Sequence, residues 1–308
     1  MKTFDHSFIE ILSDIMDNGD YKDTRIADVS TLSVFNRILT CEDSAGYNGL
    51  PISQLRKIHY KGAIIEMMWV LGMHMKDERY SSLPITNIKY LQDNGVNYWN
   101  PWADEDGNLG PVYGAQMSTW LTPDGTVVNQ IKNIIEKLRT NPDDRRLVAS
   151  MWNPGAIPEM ALPPCHYAVE FYSRPSNDGS KRILDTRWIQ RSCDMVVGIP
   201  YNAIMYTILN KIVALCTAHV PGIVSGCLGN CHVYSNQFDS ANELIKRFDS
   251  AEYMELSPKK PHFSLSDRII EQIYNGAMLE LDDFAIDGSD FKVDYYEYMP
   301  EMKVAVNV

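Results

Sequence analysis

Apolar positions recur at helical spacing between residues 5 and 17, where Phe8, Ile11, Leu12, Ile15 and Met16 share one face. The same spacing predicts a helix over "VNQIKNIIEKLRTNP", stopped before Pro142 because a residue preceding proline disfavours helix. "KGAIIEMMWVLG" (Lys61 to Gly72) is apolar on nearly every side and ends at a glycine, which predicts a buried helix. "PYNAIMYTILNKIVALCTAH" (Pro200 to His219) predicts a long helix with proline near its start, a favoured place. Strand-like runs fall at "TLSVF", "RRLVASMW", "HYAVEFYS", "ILDTRWIQRS" and "IVSGCLGNCHVYSN". Strands and helices mix without strict βαβ alternation, so the expected class is α+β, a mixed sheet with helices on one face.

Composition adds boundaries. At 308 residues, with no internal repeat or obvious linker, the chain reads as one domain over 1–308. No run of about 18 apolar residues occurs, so no membrane span is expected. The acidic start "MKTFDHSFIEILSDIMDNGD" does not resemble a targeting peptide, and a cytoplasmic location is expected. Six scattered cysteines do not suggest a disulfide framework. "CLGNCH" lacks the spacing of a metal site, so no metal is expected. A net charge of −12 argues against nucleic-acid binding through a general basic surface, but a local arginine cluster can still hold a small anion.

Several segments could carry chemistry. In "MALPPCHYAVEFY", Cys165 follows two prolines at the mouth of a strand; it is either a filler or a nucleophile. His166 beside it would point to the opposite face of that strand, so a Cys–His dyad is not expected, and a nearby arginine is the better thiolate partner. Glu66 sits among Ile, Met and Trp, where a carboxylate is costly to bury unless paired; a raised pKa would suit proton transfer, and a core-edge position is the alternative. "QRSCD" (Gln190 to Asp194) gathers Arg191 and Ser192, phosphate ligands by type. His232 and Tyr234 alternate, which on a strand turns both the same way, towards a sugar hydroxyl or simply the core. Arg145 and Arg146 after "NPDD" read most plainly as a surface pair. "WNPWADEDGNLGPVYGAQM" could line a flat ring-binding pocket or be an ordinary packed loop.

In order, "EMMWVL", "WADEDGNLGPVYG", "NPDDRRLVASMWNP", "MALPPCH", "QRSCDMVVGIPYN" and "HVYSN" resemble the thymidylate synthase family, from about Lys22 to Val308. The resemblance implies that family's fold, with a sheet face used for dimerisation, and dUMP and 5,10-methylenetetrahydrofolate as substrate and co-substrate. It implies Cys165 as the nucleophile at C6 of the pyrimidine. Arg25, Arg191 and Ser192 are implied for the phosphate, with Gln190 also at the nucleotide. Arg145 and Arg146 are implied to reach the partner's nucleotide across a homodimer. His232 and Tyr234 would hold the deoxyribose hydroxyl. Glu66 would organise water and proton transfer near O4, and Tyr113 would assist proton removal from C5. Asn202 would read the base as uracil, since related cytosine-specific enzymes resemble the family with aspartate there. Trp99, Trp102, Asp194, Gly198 and Tyr201 would line the folate site.

The chain also departs from the family pattern. The phosphate loop reads "RIADVST", without its usual glycines. Gln54 and Leu55 replace a threonine pair ahead of Arg56 and Lys57, and Met117 stands where tryptophan is common. "VDYYEYMP" replaces a proline–histidine stretch, and the end "PEMKVAVNV" puts Asn307 where a small apolar residue is usual. A polar residue in the closing tail favours water as the last reactant. The expected product is therefore 5-hydroxymethyl-dUMP from a deoxyuridylate hydroxymethyltransferase, which would suit a phage source. Thymidylate synthase, giving dTMP and dihydrofolate, is the alternative, and the retained Trp99 favours it. An inactive nucleotide-binding relative is the third reading.

Overall fold

A computed structural model describes residues 2–307. Its helices are α1 Phe4–Asn18, α2 Tyr60–Val70, α3 Lys89–Asp93, α4 Tyr113–Ser118, α5 Gln130–Thr140, α6 Gly198–Cys216, α7 Phe238–Phe248, α8 Ala251–Leu256 and α9 Asp267–Tyr274. Its strands are β1 Asp20–Asp23, β2 Ser30–Cys41, β3 Trp120–Leu121, β4 Val127–Val128, β5 Val148–Ser150, β6 His166–Pro175, β7 Arg182–Asp194, β8 Val220–Tyr234, β9 His262–Leu265 and β10 Phe291–Asp294. Every helix and strand read from the pattern is present. The main shift is β2, which runs to Cys41, well past "TLSVF". Pairing along the whole edge of β8 holds that extension, and such a partner cannot be seen in local sequence.

Six strands form the main sheet in the order β1-β2-β8-β7-β6-β5. Among the described residues only β7 and β8 run parallel, which demands a crossover between them; α6 is that crossover. Leu184, Thr186, Trp188 and Gln190 of β7 are buried against the core, and Val224 and Leu228 of β8 share that side. The other face is left open, with Ile38 53% and Tyr172 66% exposed. That asymmetry is the one-sided helix cover read from the sequence.

α2 packs beside α6 in the core, and both are apolar nearly all round. α6 is long and apolar enough by composition to pass for a membrane span, a point the sequence reading did not reach. It is instead a core helix, with 89% of its most apolar window buried inside the protein. Its buried Lys211 donates to the Gly46 carbonyl at 2.7 Å and lies 4.9 Å from the Phe263 ring centroid.

Candidate active site

Cys165 stands one residue before β6 and is held on both sides. Its N–H donates to the Tyr113 hydroxyl at 2.9 Å, and its carbonyl accepts from the Arg191 N–H at 2.8 Å. The prolines ahead of it have a use beyond stiffness. Arg191 donates from Nε to the Pro164 carbonyl (2.9 Å) and from Nη2 to the Pro163 carbonyl (2.8 Å), so the guanidinium is pinned beside the thiol. Burial pushes the Cys165 thiol up; Arg191 and Arg25 pull it back down, while Asp194 raises it. His166 is committed elsewhere. Its Nδ1 meets the Tyr206 hydroxyl at 2.8 Å, its ring stacks on Tyr113, and burial holds it neutral with a pKa lowered to about 3.

A cleft of ≈ 760 Å³ brings Cys165 together with Arg25, Trp102, Arg191, Ser192, His232, Tyr234 and Asn307. Arg25 comes from the turn between β1 and β2. That turn manages without glycine because the Thr24 hydroxyl bonds the Val29 carbonyl at 2.6 Å and Asp28 takes a left-handed φ of 58°, a conformation aspartate tolerates better than most residues. The Arg25 guanidinium lies 5.5 Å from the Trp102 ring centroid. His232 and Tyr234 do share a face of β8, their rings 5.0 Å apart. His232 Nδ1 faces two acceptors, the Asn230 carbonyl and Oδ1, at 3.2 and 3.1 Å. Nδ1 therefore carries the proton, which leaves Nε2 free to accept one. Burial keeps the imidazole below its ordinary pKa against the pull of Asp194.

Glu66 is buried in α2 and paired. Oε2 accepts from the Tyr98 hydroxyl at 2.6 Å and Oε1 from the Trp99 indole N–H at 2.8 Å. Burial raises its pKa, and the two donors only partly offset that, so it is suited to hold or pass a proton. Trp99, expected beside a cofactor, is 7% exposed and packs edge-on to Tyr113. Burial raises the Tyr113 phenol far above its ordinary value, so it stays protonated.

Behind the cleft, Asn202 Oδ1 accepts from Gln190 Nε2 at 3.2 Å. Asp194 accepts the Val197 N–H at 3.0 Å and so anchors the start of α6; burial raises its pKa. Gly198 opens α6, where an added Cβ would meet Asp194 and Asn202 only at ordinary contact distances of 3.7 and 3.8 Å. Tyr201 lines a separate slot of ≈ 210 Å³ with Arg56, Lys57, His59, Met302 and Val304. Arg145 and Arg146 are not brought to Cys165 within the chain. Both are exposed, and Arg145 borders a groove on the open sheet face with Tyr172 and Arg187.

Gln54 and the "VDYYEYMP" stretch are bonded to each other. Gln54 donates to the Lys259 and Glu297 carbonyls at 2.9 and 3.2 Å, and the Tyr296 hydroxyl accepts the Ile58 N–H at 2.9 Å. Asn307 exchanges two amide bonds with Asn236, at 2.8 and 3.1 Å, and Gln237 donates to the Ala305 carbonyl at 2.8 Å. Tyr98, Asn230 and Asn236 were not read as site residues. Tyr98 lies beside a quoted motif and Asn230 and Asn236 lie within "IVSGCLGNCHVYSN", which is the only signal the sequence carried for them.

A half-buried thiol next to two arginines in an open cleft is the equipment of a group-transfer enzyme that acts on an anion. The family model described as thymidylate synthase matches residues 6–308, and the chain belongs to that family. It is thus a one-carbon transferase acting at C5 of dUMP, with methylenetetrahydrofolate as co-substrate.

Proposed function

We propose that this enzyme is a deoxyuridylate hydroxymethyltransferase that makes 5-hydroxymethyl-dUMP. The observation that carries the reading is Asn307, a polar amide in the lining of the Cys165 cleft. A tail that excludes water leaves hydride transfer as the only way on; paired with Asn236, the Asn307 amide still keeps one N–H and one lone pair, either of which can hold a water.

Arg25, Arg191 and Ser192 bind the phosphate, and His232 Nε2 accepts from the deoxyribose hydroxyl while Tyr234 donates to it. The Cys165 thiolate forms a bond to C6, and the displaced electron pair makes C5 nucleophilic. C5 bonds to the methylene carbon that methylenetetrahydrofolate supplies; the two bonds from that carbon to the folate nitrogens break and tetrahydrofolate leaves. Glu66 holds the proton exchanged near O4. Tyr113, kept neutral, hydrogen-bonds through its hydroxyl to a water that takes the C5 hydrogen as a proton. Water then adds to the methylene carbon on C5, and the C6–S bond breaks to return the thiolate. The basic and aliphatic slot of Tyr201, Arg56, Lys57 and Val304 fits an aryl-glutamate tail, with Trp102 and Asp194 nearer the pterin. Arg145 and Arg146 complete the site of a second copy across the open sheet face.

Thymidylate synthase remains as a second reading because Trp99 closes over Glu66 with Tyr98. Folate product separates the two: tetrahydrofolate supports the proposal and dihydrofolate overturns it. Changing Asn202→Asp tests the base reader. Preference shifts towards dCMP if the amide reads uracil, and an unchanged preference rejects that role. Release of tritium from C5-labelled dUMP excludes an inactive relative.

A further inference from the structure

The amide that reads the base is itself held in one orientation, and the hold begins at Trp188. Along β7, residues two apart share a face, so Trp188, Gln190 and Ser192 lie in a row. Trp188 and Gln190 are buried. The Trp188 indole N–H lies 3.0 Å from Gln190 Oε1. An indole can only donate, so the Gln190 atom facing it is the oxygen. At the other end, Gln190 Nε2 lies 3.0 Å from the Ser192 carbonyl, which can only accept. Both contacts impose the same polarity. An inverted Gln190 would set NH₂ against N–H and oxygen against carbonyl.

Gln190 passes that polarity on. Its Nε2 also points at Asn202, so the Asn202 atom it meets is Oδ1, at 3.2 Å. Among the described residues, Asn202 Nδ2 has only a distant contact, 3.9 Å to Met205 Sδ. It is therefore available as a donor, with Oδ1 keeping one lone pair to accept. The indole's place is made by Gly226 on β8, where an added Cβ would lie 2.4 Å from Trp188 Cζ2. Trp188 also stacks on Tyr206, with rings 1° from parallel.

We propose that Trp188 is a positioning residue for specificity: with the Ser192 carbonyl it sets Gln190, and through Gln190 it presets the Asn202 amide to recognise uracil over cytosine. The inference rests on Asn202 being the base reader. A freely rotating amide would offer either pattern. A preset one makes cytosine face donor against donor and acceptor against acceptor.

The test is the affinity of dUMP and dCMP for the full-length enzyme, by calorimetry, in Trp188→Phe, Gln190→Met and Asn202→Asp. Trp188→Phe leaves Gln190 Oε1 buried without a donor, so the dUMP-over-dCMP preference falls about tenfold. Gln190→Met removes both ends of the hold, and the preference falls further, again through weaker dUMP binding. Equal weakening of both nucleotides in Gln190→Met, or an unchanged preference, overturns the proposal. Should Trp188→Phe fail to fold, Gln190→Met decides alone. The two readings fail separately. If Asn202→Asp shifts preference and Gln190→Met does not, only the preset is wrong; if Asn202→Asp does nothing, the base reader is wrong too.

Discussion

The two walls of the Cys165 cleft are built differently. One wall is the sheet: Arg191 and Ser192 on β7 and His232 and Tyr234 on β8, both strands in hydrogen-bonded ladders, with Cys165 one residue before β6 and its carbonyl bonded to the Arg191 N–H. The other is made of segments without a ladder: the Thr24–Val29 turn, the Trp99–Trp102 stretch and the tail. The tail is tied by a few side-chain bonds, Lys57 to Glu301 at 2.7 Å, Arg247 to the Pro300 carbonyl at 2.7 Å, Gln237 to Ala305 and Asn236 to Asn307. The difference teaches a division of labour. Apart from Arg25 in its turn and Glu66 on α2, the residues proposed to bind and activate the nucleotide sit where register fixes them. Residues proposed to decide what finishes the reaction sit where one substitution can change the outcome.

Breaking the sheet wall should have the larger effects. Cys165→Ala is expected to abolish turnover while dUMP still binds, checked by single-turnover assay and calorimetry; remaining activity would refute thiol addition. Off the sheet, on α2, Glu66→Gln should lower kcat by about 10²- to 10⁴-fold, the usual range for a lost proton-transfer group, with dUMP affinity nearly unchanged. Arg191→Met removes a cation that favours the thiolate. Because burial already raises the Cys165 pKa, alkylation of the free enzyme by iodoacetamide should climb with pH, and Arg191→Met should move that climb to higher pH.

On the other wall, Asn307→Ala should leave dUMP affinity within about twofold, as expected for an exposed amide pair, and should move product from hydroxymethyl-dUMP towards dTMP. Smallest for activity is Lys211, far from either wall. Its folded pKa, about 7, lies below the ordinary lysine value. Between about 7 and about 10 the unfolded chain keeps a proton that the folded one releases, so stability rises with pH, by up to about 1.4 kcal/mol per unit. Lys211→Met should flatten that part of the curve in thermal melts.

Much of the sheet wall was legible before the fold was known. Cys165, Arg191 and His232 each stand in a short contiguous motif, and period-two spacing alone turned His232 and Tyr234 the same way. The other wall was harder to read. Tyr98 reaches Glu66 across 32 positions and Asn236 reaches Asn307 across 71. Such pairings leave no local period or spacing. Trp188 was visible only as one apolar residue in a strand, since its meaning depends on which atom of Gln190 it faces. Arg145 and Arg146 could not be placed by either route, because their expected target is on another copy.

The most direct test is to run the reaction on dUMP and methylenetetrahydrofolate in ¹⁸O-water and weigh the nucleotide product. The account predicts hydroxymethyl-dUMP carrying the heavy oxygen, with tetrahydrofolate released. Unlabelled dTMP with dihydrofolate would contradict it.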